Sequence, residues 1–354
     1  MTEELLLYGA YGYTGSLIAK TAVDRGFEPI LAGRRAEPLE AQATDYGLEN
    51  RTFSLEHPEV VENRIADADA VLNCAGPFSA TARPLIDACI ETGTEYLDIA
   101  GRYDVLEETA ERDGEASDAG ITLLPAVGFD VVPTNCLTSY LTEQVEDPTH
   151  LRVAIDGLGT FSPGTVKAIL EQAGDPGAVR EDGRLRSVPL AWKRREFSFE
   201  GEAKSAVTVP WGEVSTAYHS TGIPNVETYA TVPEYAQTAM KRARGFSGIL
   251  GWGPVQSALQ AVVDAVVEGP TAAERAQSHN RIAAEVENAD GDTASAGLRT
   301  PDTYDLTAET AVDAAGRVLD GDVAAGFHTP SEAFGADYVL EFSGVERDDT
   351  EEFE

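Results

Sequence analysis

Leu5 to Gly15 reads LLLYGAYGYTG, an apolar run that passes straight into three glycines spaced three apart. A run this short and this apolar suits a buried strand, and the glycines permit a backbone path that side chains would block. In a strand, turn and helix, Gly9 allows the sharp exit, Gly12 removes a Cβ from the approach of a pyrophosphate, and Gly15 lets the helix pack closely on the sheet. Leu17, Ile18, Ala19 and Val23 supply the helix with an apolar face, and Thr14 and Ser16 fall in its first turn. Free N–H groups and the positive dipole end of that helix favour an anion. Gly9, Ala10, Tyr11, Gly12, Tyr13, Thr14 and Gly15 are therefore read as a nucleotide phosphate cradle.

The alternation continues. Strands are expected at Glu28–Ala32, Arg51–Leu55, Ala70–Asn73, Glu95–Ile99 and Ile121–Pro125, with helices at Ala36–Tyr46, Glu59–Ile65, Thr81–Thr92 and Tyr103–Ala119. This is the pattern of an α/β fold, a doubly wound parallel sheet of Rossmann type. The second strand ends in Gly33-Arg34-Arg35. An acid at that tip bonds a ribose 2′-hydroxyl, whereas an arginine accommodates a 2′-phosphate, so the two guanidiniums point to NADP unless they are solvated surface arginines. Asn73-Cys74-Ala75-Gly76-Pro77 forms a turn at the C-terminal strand edge, where ligands of open parallel sheets lie, and is assigned to the nicotinamide side. Cys74 there reads as a small apolar filler rather than a nucleophile. Tyr96 and Asp130 are the candidate proton donors, although Asp130 is explained equally well as a helix cap.

A chain of 354 residues exceeds the usual size of one core, so two domains are expected. From His150 to Tyr229 short strands take over at Leu151–Asp156, Glu196–Glu200, Ala206–Val209 and Val226–Val232, and Ser162-Pro163 opens a helix through Leu170. That helix start is either a plain cap or a receiver for an anionic or carbonyl group of substrate. Gly269–Val286 reads as a charged surface helix, Gly291–Arg299 as a polar strand or loop, and a last helix runs to Leu319. The expected division is 1–133 with 303–354 as a discontinuous nucleotide-binding domain, and 134–302 as an inserted α+β domain with a mixed or antiparallel sheet. The tail from Glu346 is expected to fray. Ile249–Val267, apolar and preceded by Lys241, Arg242 and Arg244, suits core or dimer packing, with a membrane-surface or lipid-binding face as the sharper alternative.

Charge narrows the partners. The formal net charge is −35, from 61 acidic against 26 basic residues, and only five of the bases are lysines. Acids spread along the chain keep a protein soluble where salt screens strongly, so a halophilic, high-salt cytoplasm is the expected setting. No basic stripe exists to displace counterions from a phosphate backbone, which argues against nucleic acid. The cysteines, Cys74, Cys89 and Cys136, show neither a disulfide framework nor metal spacing. MTEELLLYGA lacks a basic n-region, so no signal peptide is expected.

GAYGYTG at Gly9–Gly15, AGRR at Ala32–Arg35, NCAGPF at Asn73–Phe78, YLDIAGR at Tyr96–Arg102, GFDVVPTN at Gly128–Asn135 and YDLTAETA at Tyr304–Ala311 occur in an order that resembles the saccharopine dehydrogenase-like oxidoreductases, most of all the branch that includes trans-acting enoyl reductases. The resemblance spans nearly the whole chain. It implies a Rossmann domain built from both chain ends, an inserted domain that closes over the cofactor and often pairs subunits, and an NADP-dependent oxidoreductase. One departure stands out: where family members commonly carry an acid after the glycine of the YxDxxG segment, this chain has Arg102. The expected function is an NADPH-dependent reductase of an enoyl or other carbon–carbon or carbonyl substrate. The alternatives are an imine-type dehydrogenase and a non-catalytic, nucleotide-binding, lipid-associated protein. The expected partners are a small-molecule substrate, which a lipid-like compound would also satisfy, a second copy in a homodimer, and a peripheral membrane contact.

Overall fold

A computed structural model describes residues 4–172, 176–233 and 266–348, with isolated positions between 237 and 263. Contacts divide the chain into two units, Met1–Val132 with Tyr304–Ala333, and Pro133–Thr303 with Phe334–Glu354.

In the first unit the chain runs β1 (Leu5–Tyr8), α1 (Tyr13–Asp24), β2 (Ile30–Gly33), α2 (Ala36–Tyr46), β3 (Asn50–Thr52), α3 (Pro58–Ile65), β4 (Ala70–Asn73), α4 (Phe78–Thr92), β5 (Glu95–Asp98), α5 (Tyr103–Ala110), α6 (Asp113–Ala119) and β6 (Thr122–Leu124). With Gly326–Phe327 on its edge, the sheet has the order 3-2-1-4-5-6 and is parallel throughout. This is the doubly wound order with its switch point between β1 and β4. Both faces of β1, β2 and β4 are buried, which is why these strands are continuously apolar rather than alternating. Leu6, Tyr8, Ile30, Ala32, Val71, Tyr96 and Leu123 share one core with Val61, Ile65, Leu85 and Leu106 of the helices. The helix Thr303–Leu319 contributes to this unit from Tyr304 onward: Thr307 Oγ1 accepts from Phe129 N at 3.0 Å, and Thr310 Oγ1 donates to Val127 O at 2.7 Å.

The second unit contains most of α7 (Val132–Thr142) and then β7 (Pro148–Asp156), α8 (Pro163–Gln172), β8 (Gly177–Glu181), β9 (Arg184–Val188), β10 (Arg194–Phe199), β11 (Glu202–Thr208), α9 (Glu213–Thr221), β12 (Asn225–Thr231), β13 (Asn280–Asn288), β14 (Thr293–Thr300) and β16 (Glu346–Asp348), β15 being Gly326–Phe327 of the first unit. Its sheet is mixed, in the order β10-β11-β12-β7-β13-β14-β16, with the β8–β9 hairpin paired to β12. Among its described strands only the β12–β7 pair is parallel. Thr134 Oγ1 and Asn135 Nδ2, from the GFDVVPTN segment, donate to the carboxylate of buried Glu213 at 2.7 and 3.2 Å. Burial pushes the Glu213 carboxyl up to about 7.

Three readings change. Gly269–Val286 is not one helix: a single turn, Ala272–Arg275, precedes β13, a central strand. Its charges mimic a solvated helix face, but they are cross-strand partners, with Arg281 Nη2 2.5 Å from Asp156 and Glu285 2.8 Å from both Arg152 and Arg195. Tyr103–Ala119 is two helices, α5 and α6, broken at Glu111-Arg112. The described residues from Phe334 onward group with the second unit, not with the first, because Glu346–Asp348, expected to fray, instead extends the mixed sheet beside β14 in the register Leu298↔Arg347. Most of Ile249–Val267 lies outside the described residues. Among those described, no helix is long and apolar enough to cross a membrane.

Candidate dinucleotide and proton-transfer site

The site begins where β1 ends. Gly9 has φ 89°, and its N–H donates to Ala32 O of β2 at 2.8 Å, which folds the turn back over the sheet. A Cβ on Gly9 would lie 2.7 Å from Ala75 N, so the turn after β1 and the turn after β4 touch at this point. A Cβ on Gly15 would be driven into the Gly9 carbonyl oxygen and 3.2 Å from Ala10 Cα, which is how the helix seats against its own turn. Gly12 differs. It is the N-cap of α1 with no side-chain cap, and a Cβ there would meet only Gly9 O, at 3.2 Å. Gly12, Tyr13 and Thr14 are half-exposed, whereas Gly9, Ala10 and Gly15 are buried and shape the turn from beneath. An uncapped helix start whose approach is clear of side chains suits the phosphates of a dinucleotide.

Arg34 and Arg35 follow Gly33 at the tip of β2 and are exposed. Among the described residues neither has an ion pair or a hydrogen bond, although this chain is acidic enough that Arg25, Arg51, Arg112 and Arg281 are all matched with carboxylates. Two adjacent guanidiniums beside a phosphate cradle fit a ribose 2′-phosphate, which accepts their paired N–H donors. The residues present thus fit NADP.

The β4 turn is held from inside. Asn73 is fully buried; its Oδ1 accepts from Ala75 N at 3.0 Å and its Nδ2 donates to Thr81 Oγ1 at 3.2 Å and Tyr96 OH at 3.3 Å. Thr81 Oγ1 in turn donates to Ala75 O at 2.6 Å. Asn73 therefore supports the turn and does not reach a cofactor, a correction to its place among the contacting residues. Cys74 is buried as well, and burial pushes its thiol up, so like Asn73 it lies beneath the turn and is corrected from its place among the contacting residues. Ala75, Gly76 and Pro77 make up the accessible rim.

Tyr96 is also corrected. It has no exposed surface, and its hydroxyl is bonded to Asp98 Oδ2 at 2.8 Å and to Asn73. Burial, and then Asp98, hold its phenol well above its usual range, so it neither meets a substrate nor gives up a proton. Asp98 Oδ1 accepts from Ala100 N at 2.9 Å and Ala126 N at 2.8 Å. Asn73, Tyr96 and Asp98 are thus a buried brace across the ends of β4, β5 and β6.

Asp130 behaves otherwise. It lies in the turn before α7, half-buried, and its Cβ and Cγ would be 2.9 Å from a Cβ on Gly101. Among the described residues its carboxylate accepts no hydrogen bond, so it is not a helix cap. Burial pushes it up to about 6. The departure at Arg102 resolves locally: its guanidinium bridges to Asp104 in the first turn of α5, with Nε to Oδ1 at 2.9 Å. Sequence reasoning missed Thr81, Gln42, whose Nε2 donates to Ala10 O at 3.0 Å, and Tyr304, whose ring meets Tyr13 edge-on at 5.0 Å. Thr81 and Gln42 stand in no motif, Tyr304 opens the YDLTAETA segment, and each acts only through a neighbour that the fold supplies.

Residues 5–124 match the family model of the saccharopine dehydrogenase NADP-binding domain. The chain is 28% identical over 211 residues to a saccharopine dehydrogenase-like oxidoreductase of Mus musculus, covering 52% of this chain and 48% of that protein. It is 27% identical over 196 residues to a putative trans-acting enoyl reductase of Mycobacterium tuberculosis, covering 50% and 47%. The matches span about half the length of these relatives. Saccharopine dehydrogenase (L-Glu forming) of Saccharomyces cerevisiae, in its apo form, shares the fold with a TM-score of 0.64 and 13% identity, over 98% of this chain and 99% of that one. Residues 5–124 thus match a saccharopine dehydrogenase NADP-binding domain, and the dinucleotide of that domain is NADP.

Proposed function

We propose that the protein is an NADPH-dependent reductase of an activated carbon–carbon double bond, with Asp130 as the proton donor. NADPH supplies the hydride. The chain's part is to hold the dinucleotide on α1 and on Arg34 and Arg35, to present the Ala75–Pro77 rim on the reacting side, and to deliver a proton from the Asp130 carboxyl to the carbon that does not receive hydride. The observation that carries this reading is Asp130 itself. It is a half-buried carboxyl on the cofactor-binding unit, free of hydrogen bonds among the described residues and raised to about 6, which keeps part of it protonated near neutrality. The relatives named as trans-acting enoyl reductases supply the substrate class.

The test is an NADPH oxidation screen with activated alkenes, ketones and imines, run on the wild type and on Asp130→Asn. The proposal expects turnover with alkenes and a 10²- to 10⁴-fold loss in the variant, roughly the usual contribution of a positioned acid. Turnover with imines alone would replace it by the imine-dehydrogenase reading. Binding of NADPH without turnover in any of the three classes would end the enzymatic reading.

A further inference from the structure

Tyr11 stands inside the glycine turn, between Gly9 and Gly12, and is half-exposed. Its ring lies against the exit of β2. A Cβ on Gly33 would come within 2.5 Å of Tyr11 Cε1 and 3.2 Å of Cδ1, so any side chain at position 33 evicts the ring. On the ring, the guanidinium carbon of Arg35 sits 4.9 Å from the centroid. Bare backbone, aromatic ring and cation are thus layered at the point where β2 passes into α2.

The pairing is notable for what Arg35 forgoes. Glu37 stands in the first turn of α2, two residues away, yet among the described residues no carboxylate pairs with Arg35. A guanidinium stacked by its face keeps its N–H edge available for an anion, whereas one locked to a carboxylate does not. Stacking also removes rotamer freedom that a free arginine would lose on binding phosphate.

We infer that Tyr11 sets the choice between NADP and NAD in this chain: its ring, admitted by Gly33, holds Arg35 with its donor edge ready for the ribose 2′-phosphate. This rests on the NADP assignment of the first unit. The chemistry recognised is a phosphate monoester on the adenosine ribose, which NADPH has and NADH lacks.

Titrating the purified protein with NADPH and with NADH, by the fluorescence of the reduced nicotinamide at fixed salt, reads this directly. Tyr11→Ala is expected to weaken NADPH about fivefold more than NADH, the scale of an exposed cation–π contact. Tyr11→Phe keeps the ring and is expected to hold the NADPH-to-NADH ratio within about twofold of the wild type. Gly33→Ala, which displaces the ring without deleting it, is expected to match Tyr11→Ala. Equal weakening of both nucleotides by Tyr11→Ala, or a loss in Tyr11→Phe as large as in Tyr11→Ala, would overturn the inference. The wild-type ratio separates the two layers. Absence of NADPH preference in the wild type contradicts the NADP assignment, whereas a preference undiminished in Tyr11→Ala refutes only the role of Tyr11. Should Gly33→Ala fail to fold, the two Tyr11 variants decide alone.

Discussion

At the scale of single residues the proton donor is separable from the brace beneath it. Tyr96, within β5, and Asp130, in the turn after β6, were both candidate proton donors in the sequence. What separates them is burial and partner number: Tyr96 is enclosed and bonded to Asp98 and Asn73, while Asp130 is half-buried and unbonded among the described residues. Neither quantity can be read from a motif, because both depend on what β4, β5 and β6 bring alongside. Asp130 has a distinct pH signature. Its folded pKa, about 6, lies above the 3.8 of an ordinary aspartate, so the folded state binds the extra proton between these values. Stability from this group is complete below about pH 4 and is lost as pH rises through about 6. Asp130→Asn is therefore expected to unfold at a higher temperature than the wild type at pH 8 and to show little difference at pH 4. In the reductive direction kcat/KM should fall above about pH 6 as the carboxyl ionises, and that limb should vanish in the variant. A profile unchanged by Asp130→Asn would remove Asp130 from the chemistry.

At the scale of elements, the strand–turn–helix at Leu5–Gly15 was legible because its glycines meet constraints internal to the stretch. Gly9 needs a positive φ, and Gly15 packs against the Gly9 carbonyl six residues back along the chain. The two remaining roles divide cleanly under substitution. Gly15→Ala presses a methyl group onto backbone atoms that cannot swing aside, and is expected to cost about 3 kcal/mol or more and to lower the unfolding midpoint. Gly12→Ala meets only one carbonyl oxygen, at 3.2 Å, and is expected to fold with a midpoint near the wild type while weakening NADPH about tenfold or more. Reversal of that order, with Gly12→Ala unfolding and Gly15→Ala merely losing affinity, would contradict the turn's assignment. The misread element, β13, shows the opposite case. Its apolar positions Ile282, Ala284 and Val286 alternate as a strand requires, but Arg281, Glu285 and Glu287 hide that period until Asp156 and Arg152 arrive from β7 to pair with them. A strand whose polar face is satisfied by distant residues reads locally as a solvated helix.

At the scale of the whole molecule, the charge of −35 sets the conditions under which everything else is measured. Like charges repel across the compact state, and added salt shortens their reach to about 3 Å at 1 M. We propose on this ground that the protein is adapted to high salt, and expect its unfolding midpoint to rise by ~5–10 °C between 0.1 and 2 M KCl, the shift that a few kcal/mol gives in units of this size. A midpoint that falls with KCl would show that the ion pairs, such as Arg152 with Glu285 and Glu287, outweigh the repulsion. The same field opposes the approach of an anionic dinucleotide, which makes Arg34 and Arg35, without a carboxylate partner among the described residues, the more telling. These two arginines and the uncapped start of α1 make this chain an NADP protein. A fluorescence titration at 2 M KCl, with NADPH and NADH against the wild type and against the double variant Arg34→Ala with Arg35→Ala, tests it most directly. The wild type is expected to bind NADPH about tenfold or more tighter than NADH, and the double variant to lose this preference while keeping its affinity for NADH. Equal affinity for both nucleotides in the wild type, or a preference untouched in the double variant, would contradict it.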